Sequence, residues 1–340
     1  MSTLESAITA LDALVTEATT ILILQPEKPD TDSLTASLAL EQIFGDMGKE
    51  VIMYSQDAVP RYLAYFEGAD RVHDIFPDHF DVSIIVDTGG AQQLARTLEK
   101  YQGRIIKKPI AIIDHHPNRE PMPFPTMDVI DPHATSTAEV LVTIAKQLGW
   151  TINKEAASLM VPGILADTRN LSIATVGSGT FRTVADLIDL GANMYEIHEA
   201  YRASDRLTPE LVNLKGRLLS RMELHSNGKI ALVVVTPEEL KHYAEMHDPA
   251  DLVIYDMQNT LGVAVAVVMR HYGGQNNKIK ISTRASMPVA AKACKAFGGG
   301  GHDRAAGCQV NDTPISEVKP AFITELTKQI QDYEALQHAN

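Results

Sequence analysis

The hydrophobic positions of the first 190 residues fall in short runs that alternate with helical patterns. Apolar and β-branched runs occur at 21–24, 51–54, 82–86 and 110–113, and a helical pattern covers 34–47. These runs are continuously apolar, as expected of strands that helices cover on both faces. The alternation of strands and helices predicts an α/β domain with a parallel sheet.

A turn signal divides the chain near residue 227. The segment 206–226 has mixed charge and a helical pattern, so we interpret it as a linker helix, and Asn227-Gly228 is typical of a turn before the apolar run 230–235. Further strands are predicted at 262–269 and 279–283, with helices at 237–246 and 289–297. The pattern therefore predicts two domains, 1–205 and 227–340, of which the second is a smaller α/β domain.

Composition narrows the choice of partners. The chain has 340 residues, enough for two domains, and 43 acidic against 30 basic residues give a net charge of −13. Such a chain is not expected to bind long duplex DNA, since that binding depends on many cationic contacts. No apolar stretch approaches the roughly 20 residues of a membrane span. Two cysteines and the lack of a leader pattern predict a mature cytoplasmic protein.

Acidic and imidazole side chains follow three of the predicted strands, and one more lies in a later helical stretch. They are Asp30, Asp32, Asp87, Asp114, His115, His116 and Asp167. Any single aspartate here could simply cap a helix or end a strand. However, parallel strands bring their carboxyl ends to one edge, where crowded carboxylates need cations, and two adjacent histidines suit metal binding. We therefore predict a paired-metal site.

A glycine run near the C-terminus predicts a second functional element. Gly298-Gly299-Gly300-Gly301-His302 lets the backbone approach a ligand, offers N–H groups to an anion and adds an imidazole donor. Ser282 and Arg284, at the end of a predicted strand, add a hydroxyl and a cation for a phosphate or carboxylate. We interpret the run as a substrate-binding loop, in preference to a flexible linker.

Taken in order, Pro29-Asp30-Thr31-Asp32, Asp87, Asp114-His115-His116, Asp167 and the glycine-histidine loop resemble the DHH phosphoesterase family with its DHH-associated C-terminal domain. The resemblance covers nearly the whole chain. The two-domain form looks most like the branch of oligoribonucleases and phosphoadenosine phosphate (pAp) phosphatases. It implies a parallel-sheet DHH domain, a smaller α/β C-terminal domain and an active site in the cleft between them.

The resemblance also implies roles for the site residues. Asp87 would bridge two manganese ions, with magnesium as the alternative; Asp30 would share the first, and Asp32, His115 and Asp167 would bind the second. His116, which follows Asp114 in the catalytic triplet, would lie beside the scissile phosphate. Ser282, Arg284, Gly299, Gly300, Gly301 and His302 would bind the substrate, a short RNA or small nucleotide. A homodimer is a further expectation from the family.

The first motif departs from the family pattern. The family has a histidine four residues before the first aspartate, and this chain has Pro26 there. A proline side chain cannot bind a metal. Three outcomes stay open: Glu27 or Gln25 replaces the ligand, the first metal binds weakly with extra waters, or the Lys28 ammonium takes its electrostatic place.

Other functions remain as alternatives. Pro26 favours a nucleotide-binding pseudoenzyme whose metal site has lost turnover, whereas the other aspartates and histidines favour an active enzyme. The same metals could also hydrolyse a linear dinucleotide, pyrophosphate or polyphosphate. The glycine-histidine loop favours a substrate with a nucleotide end group.

Overall fold

The computed structural model describes residues 3–117, 119–204, 206–244, 246–274 and 276–338. The chain forms two units, Met1–Arg206 and Leu207–Asn340. Each unit has its own six-stranded sheet and its own hydrophobic clusters. No described helix is long and apolar enough to span a membrane.

The sheet of the first unit is entirely parallel, which confirms the α/β prediction. Its strands run in the order β3-β2-β1-β4-β5-β6. They are β1 (Thr20–Leu24), β2 (Glu50–Tyr54), β3 (Val72–His73), β4 (Val82–Val86), β5 (Ile110–Asp114) and β6 (Met127–Ile130). Every residue of β1, β4 and β5 is buried, which explains why their sequences show no alternation of apolar and polar residues.

The described part of the first unit has seven α-helices. They are α1 (Thr3–Glu17), α2 (Thr31–Asp46), α3 (Ala95–Ile105), α4 (Thr137–Leu148), α5 (Lys154–Asp167), α6 (Ser178–Asp189) and α7 (Met194–Ser204). Ile21 and Ile23 of β1 pack in one cluster with α2, α4 and α5. Leu22 and Leu24, on the opposite face of the same strand, pack in a second cluster with α3.

Short polar caps fix where the helices near the carboxyl edge of the sheet begin. Asp30 is the N-cap of α2 and forms a capping box with Ser33. Ser136 is the N-cap of α4, and its hydroxyl accepts a hydrogen bond from the Glu139 N–H at 3.1 Å. Both helices therefore begin at the edge where the strands end.

The second unit has a mixed sheet in the order β11-β12-β10-β9-β8-β7. Only β8 and β9 pair in parallel; the other pairs are antiparallel. The strands are β7 (Glu223–His225), β8 (Ile230–Val235), β9 (Val265–Gly273), β10 (Lys278–Ala285), β11 (Gly300–His302) and β12 (Ala305–Val310), and the helices are α8 (Pro209–Ser220), α9 (Pro237–Tyr243), α10 (Ile254–Gln258), α11 (Ala290–Lys295) and α12 (Ile315–His338).

Two segments of this unit differ in form from the sequence interpretation. The segment 206–226 contains α8 and β7; Leu211, Leu214 and Leu218 of α8 pack against β8 residues in a core cluster of the second unit. The glycine run does not form a loop throughout, because residues 300–302 pair with β12 as an edge strand.

Candidate functional site

The carboxyl ends of β4 and β5 bring Asp87 and His115 together. Asp87 follows β4 with a φ of 51°, a left-handed conformation that is unusual for a non-glycine residue. This turn ends the strand and directs the Asp87 carboxylate toward α4, where Oδ1 accepts a hydrogen bond from Thr137 Oγ1 at 2.9 Å. His115 follows β5, and its Nε2 lies 3.6 Å from the same Asp87 oxygen.

Asp32 is held by the beginning of α4. Its two carboxylate oxygens accept hydrogen bonds from the backbone N–H groups of Thr137, at 2.6 Å, and Ala138, at 3.1 Å. The N-terminus of a helix favours a negative charge, so α4 partly compensates the burial of this carboxylate. Gly163 of α5 makes room for it, since a Cβ there would lie 2.6 Å from Asp32 Oδ1.

Asp167, the last residue of α5, completes the cluster. Its Oδ2 lies 3.2 Å from His115 Nε2. Two sets of three residues could each hold a metal ion, because the possible ligand atoms within a set all lie within 4.8 Å of one another. One set is Asp87, His115 and His116, and the other is Asp32, His115 and Asp167. The structure thus brings together five of the seven residues singled out from the strand ends and the later helix.

Asp114 and Asp30 have other contacts. Asp114 Oδ1 accepts hydrogen bonds from the His115 N–H at 2.8 Å and from His116 Nδ1 at 2.7 Å, so Asp114 orients the His116 ring from behind. Asp30 accepts the Ser33 N–H at 3.0 Å as the α2 cap. Neither residue belongs to a metal-sized set among the described residues.

The pKa shifts at this site reflect buried charge. Burial, reinforced by Asp87 and Asp167, raises the pKa of Asp32 well above its usual value. Burial together with Asp30 and Asp167 raises the pKa of Asp87 to about 7. The hydrogen bond to Asp114 raises the pKa of His116 to about 9. Burial lowers the pKa of His115, but Asp167 and Asp87 outweigh it and leave a raised value.

These observations fit a divalent cation. Crowded carboxylates that repel each other in a buried site need positive charge nearby, and oxygen with imidazole nitrogen is a donor set that Mn²⁺ and Mg²⁺ accept to different degrees. A cation at the two sets would restore the ionised form of Asp32 and Asp87.

The segment before Asp30 faces other partners. Glu27 accepts hydrogen bonds from the backbone N–H groups of Arg96 and Thr97, the latter at 3.2 Å, and pairs with Arg96 Nε at 2.7 Å. It therefore caps α3 from outside that helix. Pro26 is buried and Lys28 is exposed. Gln25 is fully buried, and neither atom of its carboxamide has a hydrogen-bond partner in the described structure.

In the second unit, strand register places the predicted anion-binding residues on one sheet face. Ser282 pairs with Gly307, which pairs with Gly300. In the next row, Arg284 pairs with Ala305, which pairs with His302. Opposite residues on neighbouring strands share a face, so the hydroxyl, the guanidinium and the imidazole belong to one surface.

Packing explains two of the glycines of this run. A Cβ at Gly299 would lie 2.2 Å from the Gly307 carbonyl oxygen, and one at Gly301 would lie 2.7 Å from the Ala305 oxygen. Gly300 has open space around its Cα. We explained these glycines by the close approach of a ligand to the backbone. Contacts within the hairpin already require glycine at positions 299 and 301.

Sequence reasoning missed two contributors. Thr137 donates hydrogen bonds to both Asp87 and Asp32. The run Ser136-Thr137-Ala138-Glu139 has the sequence signature of a helix N-terminus, but that signature does not show which side chains the helix contacts. Arg270 donates a hydrogen bond to Ser282 Oγ at 2.5 Å and pairs with Asp248. No local pattern in the sequence pointed to Arg270.

Comparisons with known proteins identify two domain families along the chain. Residues 20–164 match the model of the DHH family, N-terminal domain, and residues 227–332 match the DHHA1 domain. The bifunctional oligoribonuclease and PAP phosphatase NrnA of Thermus thermophilus is 27% identical over 309 residues, covering 88% of each chain.

Two solved structures share the fold. An exopolyphosphatase-related protein from Bacteroides fragilis superposes with a TM-score of 0.82 at 20% identity, over 98% of this chain and 97% of that one. The exonuclease RecJ bound to manganese gives 0.53 at 16% identity, over 96% and 94%.

Proposed function

This chain belongs to the DHH family, in the form that carries a DHHA1 domain, and we propose that it is a metal-dependent phosphoesterase that hydrolyses short oligoribonucleotides and pAp. The observation that carries the proposal is the joining of Asp32, Asp87, His115 and Asp167 into metal-sized sets at the carboxyl edge of the parallel sheet. Similarity to the Thermus oligoribonuclease and pAp phosphatase supports the substrate class. We further propose that the protein acts in the cytoplasm.

Asp87 and His115 are the central ligands of the proposed reaction. His115 belongs to both metal-sized sets, and Asp87 lies within reach of it, so these two side chains would help to hold divalent cations at this edge of the sheet. We assign manganese to them, with magnesium as the alternative, because RecJ of the same fold was crystallised with manganese. A bound divalent metal supplies stabilisation of charge on phosphate oxygens and lowers the pKa of a nearby water.

His116 and Thr137 have supporting roles. The hydrogen bond between Asp114 Oδ1 and His116 Nδ1 raises the pKa of His116 and orients its ring, so the exposed edge of the ring would be placed to donate a hydrogen bond to a phosphate oxygen. Thr137 fixes the orientation of Asp87 by donating to Oδ1. Both contacts leave the side chains positioned before substrate arrives, which is what transition-state stabilisation requires.

The Ser282, Arg284 and His302 surface is the proposed anion-binding element. A guanidinium and an imidazole next to a hydroxyl suit a phosphate or a nucleotide end group. Arg270 supports the surface by orienting the Ser282 hydroxyl. An acidic chain with such a local patch fits short substrates better than long ones.

Hydrolysis by chelator-treated full-length protein tests the proposal. The substrates would be RNA of two to five residues, pAp, a linear diadenylate and pyrophosphate, each with and without Mn²⁺. We expect Mn²⁺-dependent release of mononucleotide from RNA and of phosphate from pAp. Asp87→Asn should remove this activity, and Asp189→Asn, which changes an exposed aspartate of α6, should retain it.

Two results would contradict the proposal. Binding of nucleotide without turnover of any substrate would indicate a pseudoenzyme. Preferred hydrolysis of pyrophosphate would place the chain with phosphoanhydride hydrolases. Preferred hydrolysis of diadenylate, itself an RNA of two residues, would keep the proposal and narrow the substrate to a linear dinucleotide.

A further inference from the structure

The first motif lacks an imidazole because Pro26 stands at the family's histidine position, and the structure identifies which neighbour is free to compensate. Glu27 is engaged: its carboxylate accepts two backbone N–H groups of α3 and pairs with Arg96. Arg96 is itself fixed by Asp57 at 2.6 Å. Turning Glu27 toward a metal would break the α3 cap and this ion pair, so Glu27 is not the replacement ligand.

Gln25 has the opposite status. Its side chain is fully buried, and both Oε1 and Nε2 lack a hydrogen-bond partner among the described residues. Among the described residues, every other side chain with an unpartnered buried polar atom has only one such atom, for example Ser83 Oγ. An unpaired buried amide costs free energy, and a bound ion or water is the usual partner of such a group.

The position of Gln25 in the sheet places it next to the candidate metal centre. Its N–H donates to the Tyr54 carbonyl at 3.0 Å, so it continues β1 by one residue. Because Leu24 pairs with Ile85, Gln25 is level with Val86, the residue before Asp87. Neighbouring strands are only about 5 Å apart, which brings the Gln25 backbone close to that of Asp87.

The face of the strand is also favourable. Alternation along β1 puts Ile21 and Ile23 against α2, and Gln25 continues that series. Helix α2 begins with its cap Asp30 and carries Asp32 in its first turn. The unpaired carboxamide thus belongs to the side of the sheet where two of the predicted metal ligands lie.

We propose that the Gln25 carboxamide oxygen is a ligand of the first metal ion, in place of the histidine that Pro26 replaces. The inference rests on the proposed metal-dependent function. An amide oxygen is a neutral, hard ligand, weaker than imidazole for a transition metal but acceptable to Mn²⁺ and Mg²⁺. The site of the first ion should consequently bind manganese less tightly than the site built from Asp32, His115 and Asp167.

Calorimetric titration of the metal-free full chain with Mn²⁺ alone tests the proposal without using activity. The wild type should bind two ions with unequal affinities. Gln25→Leu, which keeps a similar volume, should abolish binding of the lower-affinity ion or lower its affinity by at least roughly tenfold. Gln25→Glu should bind this ion, because its side chain again offers an oxygen ligand. Unchanged binding of both ions by Gln25→Leu would overturn the proposal.

Thermal unfolding of the same metal-free variants separates a ligand from a merely structural amide. Replacing an unsatisfied buried amide with leucine should leave the metal-free protein as stable as the wild type or more so. The matched control Glu27→Gln should lower the melting temperature through the weakened α3 cap and leave both manganese affinities unchanged. Weaker binding of the lower-affinity ion in Glu27→Gln, with Gln25→Leu unaffected, would assign the ligand to Glu27 instead.

The outcome is distinguishable from failure of the proposed function. If the wild type binds two ions and Gln25→Leu binds one, the ligand assignment holds even where no phosphoester is hydrolysed. If the wild type hydrolyses short RNA with Mn²⁺ and Gln25→Leu binds both ions unchanged, the function holds and the ligand assignment fails.

Discussion

The candidate metal centre of the first unit and the glycine hairpin of the second are built by opposite means. Asp32 and Asp87 are buried carboxylates whose positions depend on hydrogen bonds from α4, and burial together with neighbouring carboxylates raises the pKa of both. At Gly299 and Gly301, by contrast, the hairpin depends on the absence of side chains. A site of crowded carboxylates needs a counter-ion to be complete, whereas a site that depends on the absence of side chains is complete once the chain has folded.

The largest effect is expected at the charged site. Asp87→Asn keeps the shape and the contact with Thr137 but removes the charge that lies near His115. We expect kcat to fall by more than roughly a thousandfold, because ligands that act as one unit lose function together. Initial rates with Mn²⁺ on a short RNA measure the change. Activity equal to that of the wild type would contradict a role for Asp87 in metal binding.

The steric site should respond in stability. Gly299→Ala would place a Cβ against the Gly307 backbone, so we expect a loss of about 2 kcal/mol in the free energy of unfolding. Gly300→Ala is the matched control, since space there is open, and should change it by less than about 0.5 kcal/mol. Urea unfolding compares the two. Equal stability of both variants would refute the steric explanation of Gly299.

An exposed donor in the hairpin should have a smaller effect, limited to binding. His302 shares a sheet face with Arg284, and we expect His302→Ala to raise KM by roughly tenfold while kcat stays within about twofold. Steady-state kinetics on pAp separate the two constants. A fall in kcat with unchanged KM would instead give His302 a role in the chemical step.

The smallest expected effect is on the pH dependence of the metal-free protein. In the folded state the pKa of Asp87 is raised to about 7, whereas in the unfolded state the carboxyl loses its proton near 3.8. Protonated Asp87 therefore favours folding fully below pH 3.8, and this contribution to stability is lost as the pH rises toward 7. The raised pKa of His116, about 9, gives stabilisation that is complete below 6.5 and is lost as pH rises toward 9.

Melting temperatures of chelator-treated protein from about pH 5 to about pH 8 should therefore fall by several degrees. Asp87→Asn should show a shallower slope, because the titrating carboxyl is gone. Added Mn²⁺ should oppose the fall, since metals bind deprotonated ligands. A melting temperature that rises with pH in the metal-free protein would show that the carboxylates are compensated by other means.

The sequence predicted most of the first unit because its signals are local. The runs at β1, β2, β4 and β5 were found, and β3 and β6 were missed because two- and four-residue edge strands carry little pattern. In the second unit the strands β8, β9 and β10 were predicted. The short β11 was interpreted as loop, since a glycine run has the composition of a turn and pairs only through its backbone.

The residues of the candidate site could be selected from the sequence, but the contacts among them could not. Asp32, Asp87 and His115 follow from strand ends, because parallel strands end at one edge. The role of Thr137 depends on α4, more than a hundred residues beyond Asp32, reaching that edge, and no local pattern contains it. The same holds for Glu27, whose engagement with α3 only the folded chain shows.

Anomalous diffraction at the manganese absorption edge, from crystals of the full chain grown with Mn²⁺, would locate any bound manganese at the candidate metal centre. We expect a strong peak among the carboxylates of Asp32 and Asp167 and the His115 ring, with a second, weaker peak toward Gln25 and Asp30. The absence of any peak beside Asp87 and His115 in protein that hydrolyses short RNA would contradict the account, because the buried charges would then serve a reaction without a metal there.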